Sequence, residues 1–170
     1  MTGTEINLSQ MLERREKRFN QQQNFLSKYH SPLISFSMNI PGPVKTNYLI
    51  LNAFTFGKKL LLENLKNIHA ELNEILEIHE NTGDELLLSI KNIPPEILKN
   101  LALNIENNYK IGRLFDIDVI NSDGEKLSRK NFRKCLICEK QAQDCARSRS
   151  HSVEEMQTAV ENLCRSIENS

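Results

Sequence analysis

Two aspartates, Asp116 and Asp118, flank a single apolar residue in a segment of alternating polarity. In a β-strand, residues two apart point to the same side, so both carboxylates would lie on one face while the apolar neighbours face the core. Like charges this close are unfavourable without a compensating cation. Carboxylate oxygens suit Mg²⁺, which neutralises charge on the phosphate during phosphoryl or nucleotidyl transfer. The alternative interpretation is an edge strand with two solvated aspartates.

A second group combines three thiols with an imidazole. Cys135, Cys138, Cys145 and His151 are close enough in sequence to complete a tetrahedral Cys₃His zinc site. The alternative is that Cys135 and Cys138 are buried as small apolar residues. A disulfide framework is not expected, because cytosolic thiols stay reduced.

Residues 39–45 read Asn-Ile-Pro-Gly-Pro-Val-Lys, a pattern typical of a strand end, a rigid turn and a helix start. Free backbone N–H groups at a helix start, together with Lys45, suit a phosphate. The alternative is an ordinary connection between a strand and a helix.

Arginines cluster around the cysteines, at positions 129, 133, 147 and 149, and their guanidinium groups can bind phosphate through two hydrogen bonds. A basic surface or a nucleic-acid patch is the alternative, although Phe132 is the only aromatic residue among them. On the first predicted helix, Arg15, Arg18 and Gln22 share one face. They form either a solvated face or a further phosphate-contacting surface.

The elements that must position these residues follow from periodicity and turn signals. Predicted helices cover residues 7–29, 45–67, 94–107 and 152–168; predicted strands cover 33–40, 72–79, 85–90 and 113–120. This order indicates an α+β (mixed α/β) domain over residues 1–170, with a mixed sheet flanked by helices and a Cys/Arg-rich segment at 133–151.

Composition bounds the class of protein. The chain has 170 residues, 39% of them apolar, with a formal net charge of zero. It contains neither an apolar run long enough to span a membrane nor an N-terminal signal pattern, so we expect a cytoplasmic protein without a membrane partner. The charge is uneven: residues 125–151 carry eight basic and three acidic side chains, whereas residues 63–107 carry three and nine. The basic regions suit a polyanionic ligand.

Taken in order, these motifs resemble a known family. They are the Arg15/Arg18/Gln22 helix, the 39–45 turn, Gly-Arg-Leu-Phe-Asp-Ile-Asp-Val at 112–119, Leu-Ser-Arg at 127–129, and the cysteine, arginine and histidine pattern at 135–151. The set resembles the apo-citrate lyase phosphoribosyl-dephospho-CoA transferases, also called citrate lyase holo-acyl-carrier-protein synthases. The resemblance covers nearly the whole chain.

The resemblance implies an enzyme that transfers the phosphoribosyl-dephospho-CoA group from a triphosphoribosyl-dephospho-CoA donor to a serine of the citrate lyase acyl carrier protein, releasing diphosphate. It implies Mg²⁺ on Asp116 and Asp118 and no nucleic-acid partner. The expected triphosphate contacts are Asn39, Gly42 and Lys45, and the expected diphosphate contacts are Arg113, Arg129, Arg147 and Arg149. By analogy, the fold is nucleotidyltransferase-like.

Two alternative functions stay open at this stage. The first is a related transferase acting on another carrier, such as that of malonate decarboxylase. The second is a non-catalytic, zinc-stabilised module that binds nucleic acid. The sequence does not identify a general base.

Overall fold

The computed structural model describes residues 1–129 and 132–167. Four strands are β1 Leu33–Met38, β2 Leu72–Glu80, β3 Gly83–Ile90 and β4 Phe115–Ile120. Five α-helices are α1 Leu8–Tyr29, α2 Tyr48–Asn67, α3 Pro95–Asn108, α4 Ala142–Ser148 and α5 Val153–Arg165, and a 3₁₀ turn covers Lys110–Leu114. The α+β class is therefore confirmed. No helix in the described ranges has the length and apolar character needed to cross a membrane.

The strands form one sheet in the order β2-β3-β1-β4. All three pairings are antiparallel, so the sheet differs from the mixed sheet expected from the sequence. In the register, Ser37 of β1 lies opposite Glu85 of β3 on one side and Asp116 of β4 on the other. Ser35 of β1 lies opposite Asp118 of β4. One sheet face therefore carries polar residues on three adjacent strands.

The two faces of the sheet are covered differently. The main apolar core packs α2, α3 and α5 against the face that includes Ile34, Phe36 and Ile117. On the opposite face, Phe25 and Leu26 of α1 cover one end of the strands. The polar row lies on this second face, beyond those α1 residues.

The predicted elements are largely confirmed, with shifted boundaries. Strand β1 ends at Met38, and the Asn39 N–H just beyond it donates to the Leu114 carbonyl at 2.7 Å in the same register as the β1–β4 pairing. Helix α2 begins at Tyr48, after an Asn47 cap that accepts from the Ile50 N–H, so Lys45 precedes the helix. Strand β4 begins after the 3₁₀ turn, and α4 was not predicted. The C-terminal helix ends at Arg165, and residue 168 of its predicted range lies outside the described residues.

Candidate active site

Asp116 and Asp118 lie on one face of β4, as the alternation predicted. Their side chains are 42% and 24% exposed, whereas Phe115, Ile117 and Val119 between and beside them are buried. The apolar residues anchor the strand in the core, and this fixes the direction of the two carboxylates. Both carboxylates border a cleft of about 550 Å³.

Cations surround the pair. Lys126 Nζ lies 2.5 Å from an Asp118 carboxylate oxygen, and Arg133 Nη2 lies 3.4 Å from Asp116 Oδ1. Lys99 lines the same cleft from α3. Burial lowers the pKa of the Lys99 ammonium, and the Asp118 and Asp116 charges oppose that shift. The charge of the carboxylates is thus balanced by basic residues from separate elements.

Glu106 of α3 holds two arginines of this cleft in place. Its carboxylate is 3% exposed, pairs with Arg129, and accepts from Arg133 at 2.9 Å. It also accepts from the backbone N–H of Ile117 at 2.9 Å, on the outer edge of β4. Burial and the neighbouring Arg133 lower the pKa of Arg129. Glu106 therefore links Arg129 and Arg133 to β4, the strand that carries the aspartates.

A smaller cavity of about 170 Å³ borders Asp116 on the α1 side. Arg15, Arg18, Asn39 and Lys45 line it, so four of the predicted phosphate-contacting residues do gather beside the carboxylates. Asn39 also lines the larger cleft, at the junction of the two.

Two of these basic side chains have further partners. Lys45 Nζ donates to the Ile40 carbonyl at 2.7 Å, and burial, together with Arg15, lowers the Lys45 pKa. Arg18 donates through Nε to Glu85 at 2.8 Å, and Glu85 also pairs with the buried Arg14. Arg15 is left to face the cavity.

Four other predicted residues line neither of the two cavities that border Asp116. Gly42 has φ +84° and packs against α5, where an added Cβ would approach Gln157 to 2.6 Å, so glycine is required there by conformation and by space. Gln22 lies on α1 one turn beyond Arg18 and is half-buried. Arg147 and Arg149 are exposed at the end of α4. In the part of the chain that the structure describes, none of these four residues lines the larger cleft beside Asp116 and Asp118.

The three cysteines and the histidine do converge. Their ligand atoms all lie within 4.8 Å of one another. Cys138 Sγ lies 3.5 Å from Cys145 Sγ and 3.3 Å from His151 Nε2. Arg113, one of the predicted phosphate contacts, donates to the carbonyl of Cys135 and so joins the loop that carries these four side chains to the body of the protein. The group can hold a metal ion.

Comparison with known proteins decides the family. The profile described as "Apo-citrate lyase phosphoribosyl-dephospho-CoA transferase" matches residues 6–167. The chain belongs to this family. Its similarity extends to "Probable apo-citrate lyase phosphoribosyl-dephospho-CoA transferase" proteins of Streptococcus pyogenes serotype M18, 39% identical over 99% of this chain and 90% of the relative. The corresponding protein of Vibrio cholerae serotype O1 (strain M66-2) is 35% identical over 93% and 91%. The "Apo-citrate lyase phosphoribosyl-dephospho-CoA transferase" of Citrobacter koseri is 31% identical over 97% and 92%.

In this member of the apo-citrate lyase phosphoribosyl-dephospho-CoA transferase family, sequence reasoning missed several residues around the aspartates. They are Lys126, Glu85 with its buried partner Arg14, Lys99 and Glu106. A signal existed for the last two, because Lys99 and Glu106 are seven residues apart and interrupt the apolar stripe of α3. A charge on the buried face of a helix indicates a partner in the folded protein.

Proposed function

We propose that this protein transfers the phosphoribosyl-dephospho-CoA group from a triphosphoribosyl-dephospho-CoA donor to a serine of the citrate lyase acyl carrier protein, with release of diphosphate. The observation that carries the proposal is the pair Asp116 and Asp118 on one strand face, enclosed by basic residues of several elements. The names of the relatives support apo-citrate lyase as the acceptor. The enzyme would accordingly be a nucleotidyltransferase.

In the proposed reaction, the serine oxygen attacks the α-phosphorus of the donor. The new Ser O–P bond forms as the bond between the α-phosphorus and the oxygen that bridges to the β-phosphate breaks. Diphosphate leaves with that electron pair, and the serine O–H proton passes to a carboxylate of the pair or to water. The product is a phosphodiester. Since charge accumulates on the phosphate oxygens, positioned cations supply most of the catalysis.

Two metals fit the two donor sets. Asp116 and Asp118 offer adjacent carboxylate oxygens that are partly exposed, which suits Mg²⁺ with substrate phosphates and water completing its shell. Bound there, Mg²⁺ would neutralise charge on the transferring phosphate. Three thiolates and an imidazole suit Zn²⁺ at the second group.

The chain's own residues divide the remaining work by location. Lys99, Lys126 and Arg129 line the cleft beside both aspartates, and we assign them to the phosphate groups of the donor. Arg15 and Lys45 flank Asp116 from the α1 side and would contact the far end of the same phosphate chain. Asn39 lies between these two groups and can donate its amide N–H to a phosphate oxygen.

The exposed Arg147 and Arg149 have a different assignment. They lie at the end of α4, outside the cleft, and we assign them to docking of the carrier, since an acidic carrier would be steered by a basic rim. A cytoplasmic location belongs to the same proposal.

Replacing Asp118 tests the chemistry directly. Asp118→Asn keeps the size of the side chain but removes its charge, so we expect transfer to fall by roughly 100-fold or more with little change in thermal stability. The assay is the mass increase of purified apo acyl carrier protein incubated with donor and Mg²⁺, followed by intact-mass spectrometry.

Asp123→Asn is the matched control, because Asp123 is an exposed aspartate in the turn after β4. It should transfer at the wild-type rate. A parallel assay with apo malonate decarboxylase carrier tests the alternative acceptor, and modification of that carrier alone would overturn our choice. A wild-type protein that modifies neither carrier but binds nucleic acid, with Asp118→Asn binding equally well, would favour the non-catalytic module.

A further inference from the structure

The segment of residues 132–151, which we call the cysteine arm, has almost no apolar core of its own. Only Cys135 and Cys145 are buried within it, and both belong to the Cys₃His group. Of its large apolar residues, Phe132 and Ile137 are exposed, and Leu136 is half-buried against the main core. A segment of this length that buries so little is not held folded by hydrophobic packing alone, and small folds of this kind depend on a metal or another crosslink.

The backbone of the arm is nevertheless folded back on itself around the ligands. The Cys135 N–H donates to the Lys140 carbonyl, and the Ala142 N–H donates to the Arg133 carbonyl, each at 2.8 Å. The Ile137 N–H points toward Cys135 Sγ at 3.5 Å. A tight turn that encloses a sulfur and directs an amide to it is suited to a thiolate that binds a metal.

The arm contacts the body of the protein at Cys135 and at Arg133. The carbonyl of Cys135 accepts from Arg113, which precedes β4. Two residues earlier, the Arg133 guanidinium donates to the Phe115 carbonyl at 2.7 Å and to Glu106 at 2.9 Å, and it lies 3.4 Å from Asp116 Oδ1. The position of Arg133 at the aspartates therefore depends on how the arm is folded.

We infer that Zn²⁺ bound by Cys135, Cys138, Cys145 and His151 keeps the cysteine arm folded and thereby positions Arg133 beside Asp116. Four protein ligands fill a tetrahedral shell, so this ion is structural and does not take part in the transfer step. Arg133 is a positioning residue that keeps Glu106 and Asp116 in a fixed relation. The catalytic consequence rests on the proposed function, whereas the metal site does not.

The first experiment measures metal and folding without any activity assay. Wild-type protein purified without chelator is expected to hold about one zinc per chain, and Cys138→Ala less than about 0.2. Trypsin sites follow Arg133, Lys134, Lys140, Arg147 and Arg149 within the arm. Loss of zinc should speed cleavage there roughly tenfold, as expected when local opening becomes easier.

Cys164→Ala is the matched control, because Cys164 is a buried thiol of α5 outside the metal-binding group. This variant should keep both its zinc and its resistance to trypsin. Wild-type protein that lacks zinc, or Cys138→Ala that retains zinc or resists trypsin as well as wild type, would overturn the inference.

The second experiment tests the link to Asp116 by a double-mutant cycle. Arg133→Lys keeps the charge but not the planar fork that reaches three acceptors, so kcat should fall roughly tenfold while zinc content stays at wild-type level. Cys138→Ala should lower kcat similarly, and the double variant should lose little more than either single variant. Independent effects that multiply would show that zinc does not act through Arg133. If wild type transfers nothing while zinc content and trypsin resistance behave as expected, the proposed function fails and the metal site is upheld.

Discussion

At the scale of single residues, Arg14 and Glu85 form a buried ion pair beside the candidate active site, and each charge depends on the other for compensation. The Arg14 side chain is 2% exposed and that of Glu85 is 7% exposed, and the two form an ion pair. Glu85→Ala would leave the guanidinium buried without its partner, so we expect the free energy of unfolding to fall by about 3–5 kcal/mol. Urea denaturation followed by circular dichroism measures this loss.

Glu74→Ala provides the comparison for that prediction. Glu74 also pairs with a basic residue, Lys28, but the two side chains are 38% and 62% exposed. An exposed pair contributes roughly 0–1 kcal/mol, so this variant should unfold close to the wild-type midpoint. Equal losses for the two variants would contradict the special role of the buried pair.

The Arg14–Glu85 pair also shows which residues of the site a sequence cannot predict. Asp116 and Asp118 were predicted to share a face because strand geometry is local, with a period of two residues. Glu85 has no local pattern that marks it, because its partner Arg14 is 71 residues away and meets it only through tertiary structure. The placement of the two aspartates on one strand face was thus predictable, whereas the buried ion pair beside them was not.

At the scale of elements, the packing of α2 against the sheet determines where β4 lies. Gly57 of α2 faces the rings of Phe36 and Phe115, and an added Cβ would lie 2.7 Å and 2.8 Å from them. Gly57→Ala gains helix propensity of about 1 kcal/mol but introduces this overlap. Overpacking a core commonly costs about 1–3 kcal/mol, so we expect a net loss of stability, measured by urea denaturation.

The displacement should also reach the active site, since Phe115 directly precedes Asp116 in β4. We expect Gly57→Ala to reduce transfer more than its stability loss alone would, when assayed well below its melting temperature. Glu63→Ala, on the exposed side of the same helix, should change neither property. A Gly57→Ala protein more stable than wild type would mean that the two rings can move aside without cost.

Helices and strands were predicted correctly where a residue pattern repeats along them. They were misplaced or missed where contacts with other segments determine where they begin and end. The β2–β3 hairpin and the long α1 helix follow from periodicity and turn residues and are confirmed. The start of β4 was misplaced because residues 110–114 form a 3₁₀ turn that no periodicity marks. Helix α4 is too short for an apolar stripe, and it carries Cys145 of the Cys₃His group.

At the scale of the whole molecule, the chain has no net charge, but its fold brings basic residues from several elements together around the two aspartates. Arg15 and Lys45 reach Asp116 from the N-terminal third of the chain, Lys99 from α3, and Lys126 and Arg129 from the segment after β4. Three acidic residues of the middle segment, Asp84, Glu85 and Glu106, also line these cavities. Others pair with lysines elsewhere, as Glu77 does with Lys58 and Glu74 with Lys28. Sequence reasoning detected the two basic regions, but only the fold shows that they meet at the aspartates.

This arrangement predicts how the reaction responds to salt. Attraction between a polyphosphate donor and the gathered cations is screened as ionic strength rises, because the Debye length falls from about 10 Å at 0.1 M to about 3 Å at 1 M. We expect the donor KM to rise several-fold over this range while kcat changes little, since the buried contacts at the reacting phosphate are less screened. Steady-state kinetics at fixed Mg²⁺ and saturating carrier measure both constants.

Paired lysine variants show whether the cleft itself produces this response. Lys99→Gln removes a cation that lines the cleft, so its donor KM should be raised at low salt and should depend less on salt than that of wild type. Lys59→Gln removes a cation that is 72% exposed on α2, which packs on the other face of the sheet, and its salt dependence should match wild type. If both variants flatten the salt dependence equally, the donor responds to the overall charge of the protein, and the convergence of basic residues at Asp116 and Asp118 does not guide it.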